Sequence, residues 1–140
     1  MSPRDTTTGS VLEQMVLPAL RRGGYRCQTQ VCIGKRLGGG RHVVDAVAER
    51  DGLKWLISMK WQQVSGTAEQ KVPFEVICLA DAVLSGLYER AYLVLGGPGW
   101  SLREFYVGDG LRKYLASTDK ISVVSLEDFV ATANQGKLSS

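Results

Sequence analysis

No hydrophobic run in this chain approaches the ~20 residues that a membrane-spanning helix needs. The polar amino end, MSPRDTTTGS, lacks the apolar core of a secretory leader, so a cytoplasmic protein is expected. Cysteine is scarce: Cys27, Cys32 and Cys78 are odd in number, with no Cys-x-x-Cys and no Cys/His pair at zinc spacing. That excludes a disulfide framework and a zinc site, and leaves three small hydrophobes in a reducing compartment. A single histidine, His42, and no Gly-x-Ser-x-Gly leave no case for a Ser-His triad. The glycines at 38–40 and 96–99 lack the spacing and the lysine of a phosphate-binding P-loop. Acid is missing from Gln14 to Val44, where Arg21, Arg22, Arg26, Lys35, Arg36 and Arg41 all fall. One sign of charge over such a stretch attracts a polyanion, although a solvated basic face explains it too.

What is present is the material of one globular domain, residues 1–140, with its core expected over about 9–134 and a frayed tail at 135–140. Ser10-Val-Leu-Glu13 has the form of a capping box, so a first helix is expected over about 10–22, bent by Pro18. Strands follow at Tyr25–Ile33, Arg41–Arg50 and Leu53–Gln62. Asp51-Gly52 between the last two favours a two-residue type I′ hairpin. Thr67-Ala-Glu-Gln70 opens a second helix that reaches Gly86, with Pro73 inside it. A buried strand at Ala91–Leu95, a helix start at Ser101–Glu104, an interrupted run at Leu111–Leu115, a strand at Ile121–Val124 and a helix capped by Ser125 complete the chain. The order suggests an α/β fold, a mixed sheet with helices on both faces.

A two-residue turn at Asp51-Gly52 makes the numbers of cross-strand partners sum to 103. Asp45 then faces Ser58, with Lys60 and Gln62 on the same face. Val44, Ala46, Ala48, Leu53, Trp55, Ile57, Met59 and Trp61 fall on the other face as core, and His42 lies there too. A carboxylate beside an ammonium on a sheet rich in Val, Ile and Leu is costly unless paired or coordinating. A structural ion pair is one reading of Asp45 and Lys60.

Asp45, a turn, and Ser58-Met-Lys60-Trp-Gln62 on the next strand resemble the PD-(D/E)XK nuclease superfamily. The resemblance covers roughly residues 9–86 and implies a restriction endonuclease-like αβββαβ core. It implies a Mg²⁺-dependent endonuclease hydrolysing phosphodiester bonds in DNA, restriction-like or junction-resolvase-like, with Mn²⁺ as a possible substitute. In the family an acid on the second strand and a (D/E)-x-K on the third hold the metal, and the lysine serves the attacking water. Mg²⁺ takes hard oxygen ligands, and a bound divalent ion neutralises phosphate and acidifies water. Asp45 and Lys60 match that pattern; Ser58 stands where the first acid of (D/E)-x-K belongs, and serine is a poor Mg²⁺ ligand. The missing carboxylate is then expected from the following helix, with Glu75 the first candidate and Glu69 the second. Glu13 occupies the place of a helix-one acid that some branches use, and Gln62 is the polar neighbour of Lys60. Lys35, Arg36, Arg41 and Lys71 are the expected nucleic-acid contacts, which position a strand without reading its sequence. One site per chain suits a homodimer for cutting both strands, without a membrane partner. The alternative is a catalytically inactive nuclease-fold DNA-binding module, and a third reading is an unrelated α/β domain.

Overall fold

The computed structural model describes residues 6–139. Three strands, β1 (Arg26–Lys35), β2 (Arg41–Arg50) and β3 (Leu53–Trp61), form an antiparallel meander. Two more, β4 (Arg90–Gly96) and β5 (Ile121–Ser125), continue the sheet parallel to β3, giving the spatial order β1-β2-β3-β4-β5. Parallel neighbours need a crossover, and the one from β3 to β4 carries α3 (Ala68–Val83). Helices α1 (Thr6–Val11), α2 (Leu17–Arg22) and α5 (Leu126–Asn134) supply the core of one sheet face. On the other lie α3, the short α4 (Arg103–Val107) and a 3₁₀ turn at Gly110–Lys113. The fold is therefore the expected α/β one, a mixed sheet with helices on both faces.

Each face has its own apolar cluster. Leu12, Val16 and Leu20 pack with Ala46, Ala48, Trp55, Ile57, Met59 and Phe129 on one side. On the other, Val72, Val76 and Leu79 of α3 pack with Val47, Leu56, Leu93 and Leu95. The hairpin register is the expected one: Arg50 pairs with Leu53 and Ala46 with Ile57, each pair summing to 103. Asp51 (φ 55°) and Gly52 (φ 78°) are both left-handed, as a type I′ turn requires.

Two expectations about the chain ends are corrected. The first helix begins before Ser10, which lies inside α1, so the Ser10–Glu13 capping box does not form. A π turn at Leu12–Val16 joins α1 to α2, with Leu17 N–H donating to Leu12 O. Pro18 sits at the start of α2, where its missing N–H is tolerated, and the wide turn takes up the irregularity ahead of it. The expected frayed tail is docked instead. Leu138 is buried, Leu138 N–H donates to Tyr25 Oη, Ser139 N–H donates to Tyr92 Oη, and Trp55 Nε1–H donates to Ser139 O. Aromatic side chains whose polar ends need partners tie the tail down. Residues 1–5 and Ser140, parts of the expected polar amino end and tail, lie outside the described residues.

Candidate active site

The strands that carry the site lose their regular alternation at Asp45. Ala46 and Ala48 join the cluster under α1, α2 and α5, whereas Val44 joins the α3 cluster together with Val47. Two residues of one face flank a phase change, so Val44, expected with Ala46, is on the opposite side. The neighbouring strand is irregular at the same level: Gln30 has φ 52°, between the pairs Thr29–Ala46 and Val31–Val44. The regular β2–β3 pairing stops at Ala46–Ile57. In place of a main-chain carbonyl, Asp45 Oδ2 accepts the Met59 N–H at 2.7 Å. Asp45 is thus held where the two strands part, with one carboxylate oxygen committed to the backbone.

The same phase change brings His42 to the α3 face, contrary to its expected place on the far side. His42 is 1% exposed, and its Nε2 lies 3.0 Å from Oε1 of Glu75, itself 4% exposed. An ionised carboxylate only accepts, so Nε2 carries the proton. Ser58 Oγ donates to the same oxygen at 3.4 Å, and Arg36 Nη2 stands 3.5 Å from Oε2. Glu75 therefore reaches from α3 to the serine that occupies the expected strand-acid position. Lys60, half-buried on β3, acts electrostatically on both Asp45 and Glu75, yet makes no hydrogen bond or ion pair with either among the described residues.

The two carboxyls are pushed apart in acidity. Burial raises the Asp45 pKa and the charge of Glu75 adds to it, against the Met59 N–H, Lys60 and Gln30. Burial would raise Glu75 too, but the His42 hydrogen bond, Lys60 and Arg36 together bring it below its ordinary value. Glu75 favours its ionised form, whereas Asp45 holds its proton more tightly than an ordinary carboxyl.

Other expected site residues stand elsewhere. Gln62 caps α3: its Oε1 accepts Ala68 N–H at 3.0 Å and its Nε2 donates to Gly99 O at 2.9 Å. The Thr67 side chain makes no cap, so the Thr67–Gln70 capping box is replaced by this glutamine from the end of β3. Glu69 accepts from Gln62 Nε2 and from Ser101 N–H, which directs it to the loop after β4. Pro73 deprives the Glu69 carbonyl of its usual helical donor, and Tyr106 Oη–H fills the gap at 2.8 Å. Glu13 is exposed on the π turn of the other sheet face, and Lys71 is exposed on α3. The basic stretch is not one patch. Lys35 and Arg41 face each other at the β1–β2 turn, beside Arg36. Arg26 pairs with Glu49 at the far end of β1, a strand of ten residues and about 30 Å. Arg22 meets Asn134 at the end of α5.

Among the described residues no three His, Cys, Asp or Glu side chains converge as a metal cage. The donor set nevertheless fits Mg²⁺, which is commonly held by one or two carboxylates with water and substrate phosphate completing its shell. Asp45 has an oxygen not used by Met59, and burial, with a smaller contribution from the charge of Glu75, tightens its proton.

A carboxylate pair and a lysine, set on two strands and the crossover helix of an αβββαβ sheet, define the class. The description of a PD-(D/E)XK nuclease superfamily domain matches residues 4–137, and the chain belongs to that superfamily. No curated protein matches it. Among solved structures it is similar to the crystal structure of a protein of unknown function, AF1548, with 16% identity and a TM-score of 0.48. The match covers 79% of this chain and 54% of that one, so the chain spans about half of that protein's length. No helix of the described residues is long and apolar enough to cross a membrane.

Proposed function

We propose that this chain is a metal-dependent endonuclease that hydrolyses phosphodiester bonds in DNA, with Asp45 and Glu75 as the carboxylates for Mg²⁺ or, in its place, Mn²⁺. The observation that carries the reading is that Glu75 of α3 comes to the Asp45–Lys60 site over Ser58, the position where the superfamily motif places an acid. The bound ion would supply charge neutralisation at the phosphate and a more acidic water. Lys60, unpaired with either carboxylate, is placed to hold a water or a phosphate oxygen beside them. Asp45 is aimed by the Met59 N–H, and Glu75 by His42 and Ser58. Gln62 acts in this reading through the seating of α3 and hence of Glu75. Glu69 and Glu13 carry no part of it. Action on both strands of a duplex suits a homodimer.

A plasmid-nicking assay tests the reading. Conversion of supercoiled DNA to nicked or linear forms is expected with Mg²⁺ or Mn²⁺ and not with EDTA. A second reading, a DNA-binding module without catalysis, is favoured by one observation: both oxygens of Glu75 are engaged by protein groups. Binding without cleavage under any divalent ion would select it.

Lys35 and Arg41 form directly opposed like charges, a placement that costs stability unless an anion shares them. Replacing both with glutamine is expected to weaken binding to every DNA sequence alike. The slope of log affinity against log salt should flatten by about two phosphate contacts. Salt titrations by fluorescence anisotropy check this, and an unchanged slope would show the turn to be only a solvated face.

A further inference from the structure

The β1–β2 turn does more than present charge, because Arg36 reaches from it back to the carboxylate that the proposed cation needs. We propose that Arg36 is a substrate-displaced counter-ion of Glu75: the turn closes the cation site in the free protein, and a nucleic-acid phosphate opens it by taking the guanidinium. The inference rests on the nuclease reading above and adds a coupling between substrate and metal to it.

The Arg36 guanidinium occupies Oε2 of Glu75 at 3.5 Å, an ion pair at the long end of such contacts and without a hydrogen bond among the described residues. A divalent ion sharing that carboxylate would face the guanidinium as a like charge, so the two compete for Glu75. Arg36 is also poorly satisfied where it is. Its Nε is buried with no hydrogen-bond partner, although a planar guanidinium offers five donors suited to phosphate oxygens.

The turn is internally tied and rich in glycine, and the Leu37 backbone meets the Cys78 thiol of α3. Arg36 N–H donates to Gly40 O and Gly39 N–H donates to Arg36 O, so the tip is internally tied. Gly34, Gly38 and Gly39 all have positive φ, and no atom crowds their missing side chains. Lys35 and Arg41 are exposed on the same turn and would draw a phosphate to it. When Arg36 leaves, Glu75 does not collapse, because His42 and Ser58 still hold Oε1. The exchange then swaps one anionic partner of Arg36 for another while freeing Oε2. Metal and nucleic acid consequently bind with positive coupling, and linkage requires each to strengthen the other by the same factor.

The test is calorimetric titration of Mn²⁺ into the full chain, alone and with an uncleavable phosphorothioate duplex, for wild type, Arg36→Met and Arg36→Lys. In wild type the duplex should tighten Mn²⁺ binding about tenfold, within the ordinary range of site-to-site coupling, and Mn²⁺ should tighten duplex binding equally. Arg36→Met should bind Mn²⁺ alone about tenfold more tightly than wild type and lose the coupling. Arg36→Lys, which keeps the charge, should stay near wild type and guards against a folding defect in the first variant. Asp45→Asn is the reference for site-specific binding. Mn²⁺ binding that depends on Asp45 but is indifferent or weakened in Arg36→Met overturns this inference alone. An absence of Asp45-dependent Mn²⁺ binding in every variant overturns the nuclease reading, and the inference with it.

Discussion

Under the nuclease reading, Asp45→Asn is expected to fold and bind DNA but to cleave it more slowly by on the order of 10³-fold or more, even at saturating Mg²⁺. The asparagine oxygen still accepts the Met59 N–H, so the junction between β2 and β3 is kept while the negative charge is lost. Asp45→Ala is a poorer probe. It strands a part-buried N–H and costs about 1–3 kcal/mol of stability in addition to activity. Lys60→Met is expected to be equally inactive; it breaks no hydrogen bond or ion pair among the described residues but removes the charge that favours ionised Asp45 and Glu75. The pH dependence follows from the direction of the Asp45 shift. Its folded pKa is raised by burial, so the folded state favours the protonated acid. The stability this lends is present below the unfolded pKa and is lost as pH rises through the folded one. Asp45→Asn should lack that loss. For cleavage the same shift acts in the other direction: the carboxylate must be ionised to take a cation, so the acid limb of the rate profile lies above the usual carboxylate range. More Mg²⁺ should move that limb to lower pH, since metal and proton compete for one group. Gel-based nicking rates across pH and metal concentration measure both effects. Wild-type cleavage by Asp45→Asn would remove Asp45 from the chemistry.

The hairpin was legible from the sequence because its information is local. Asp51-Gly52 sets the turn, and the turn sets the register as far as Ala46–Ile57; Asp45 lies just beyond it, bonded to the Met59 N–H and within the field of Lys60. The helix after β3 was legible in extent to within a few residues, and Glu75 on it could be named from a resemblance. His42 could not be read as part of the site. Strict alternation from Asp45 puts residue 42 on the opposite face, and only the irregularity at Asp45 and Gln30 reverses it. Nothing in the residue types of 41–46 announces that phase change. A lone histidine three residues before a site acid was the one available signal, and alternation argued against it. The docked tail was hidden for a different reason. Its polar composition reads as frayed, but its backbone serves hydroxyl and indole groups of Tyr25, Tyr92 and Trp55, which are distant in sequence. The basic run shows the converse error. Six cations close in sequence are spread over α2, the ten residues of β1 and the β1–β2 turn, and so lie at opposite ends of the sheet.

Glu75→Gln retains a hydrogen-bonding group beside His42 and Ser58, yet it should cleave on the order of 10³-fold more slowly than wild type. Glu75→Ala should be at least as inactive. It should also be less stable by about 1–3 kcal/mol, the usual cost of leaving buried hydrogen-bonding groups such as His42 Nε2 without a partner. The decisive variant is Ser58→Glu combined with Glu75→Ala. Ser58 Oγ already lies 3.4 Å from Glu75 Oε1, so a glutamate at 58 grows into the space that alanine at 75 vacates. The double variant keeps the net charge and offers His42 and Arg36 a carboxylate again. It also restores the strand acid that the (D/E)-x-K pattern calls for. If Glu75 is the displaced ligand, this variant regains metal-dependent cleavage that Glu75→Ala alone lacks, together with much of the lost stability. Recovery is expected to be partial, because a group misplaced by about 1 Å can lose about a hundredfold in rate. Stability regained without cleavage would mean that Glu75 serves His42 and Arg36 only. Glu69→Gln is the control: its carboxylate is directed to Ser101 and Gln62, so it should cleave at close to the wild-type rate. A dead Glu69→Gln beside an active Glu75→Gln would transfer the ligand role to Glu69 and, with it, require the loop after β4 to move in the working enzyme.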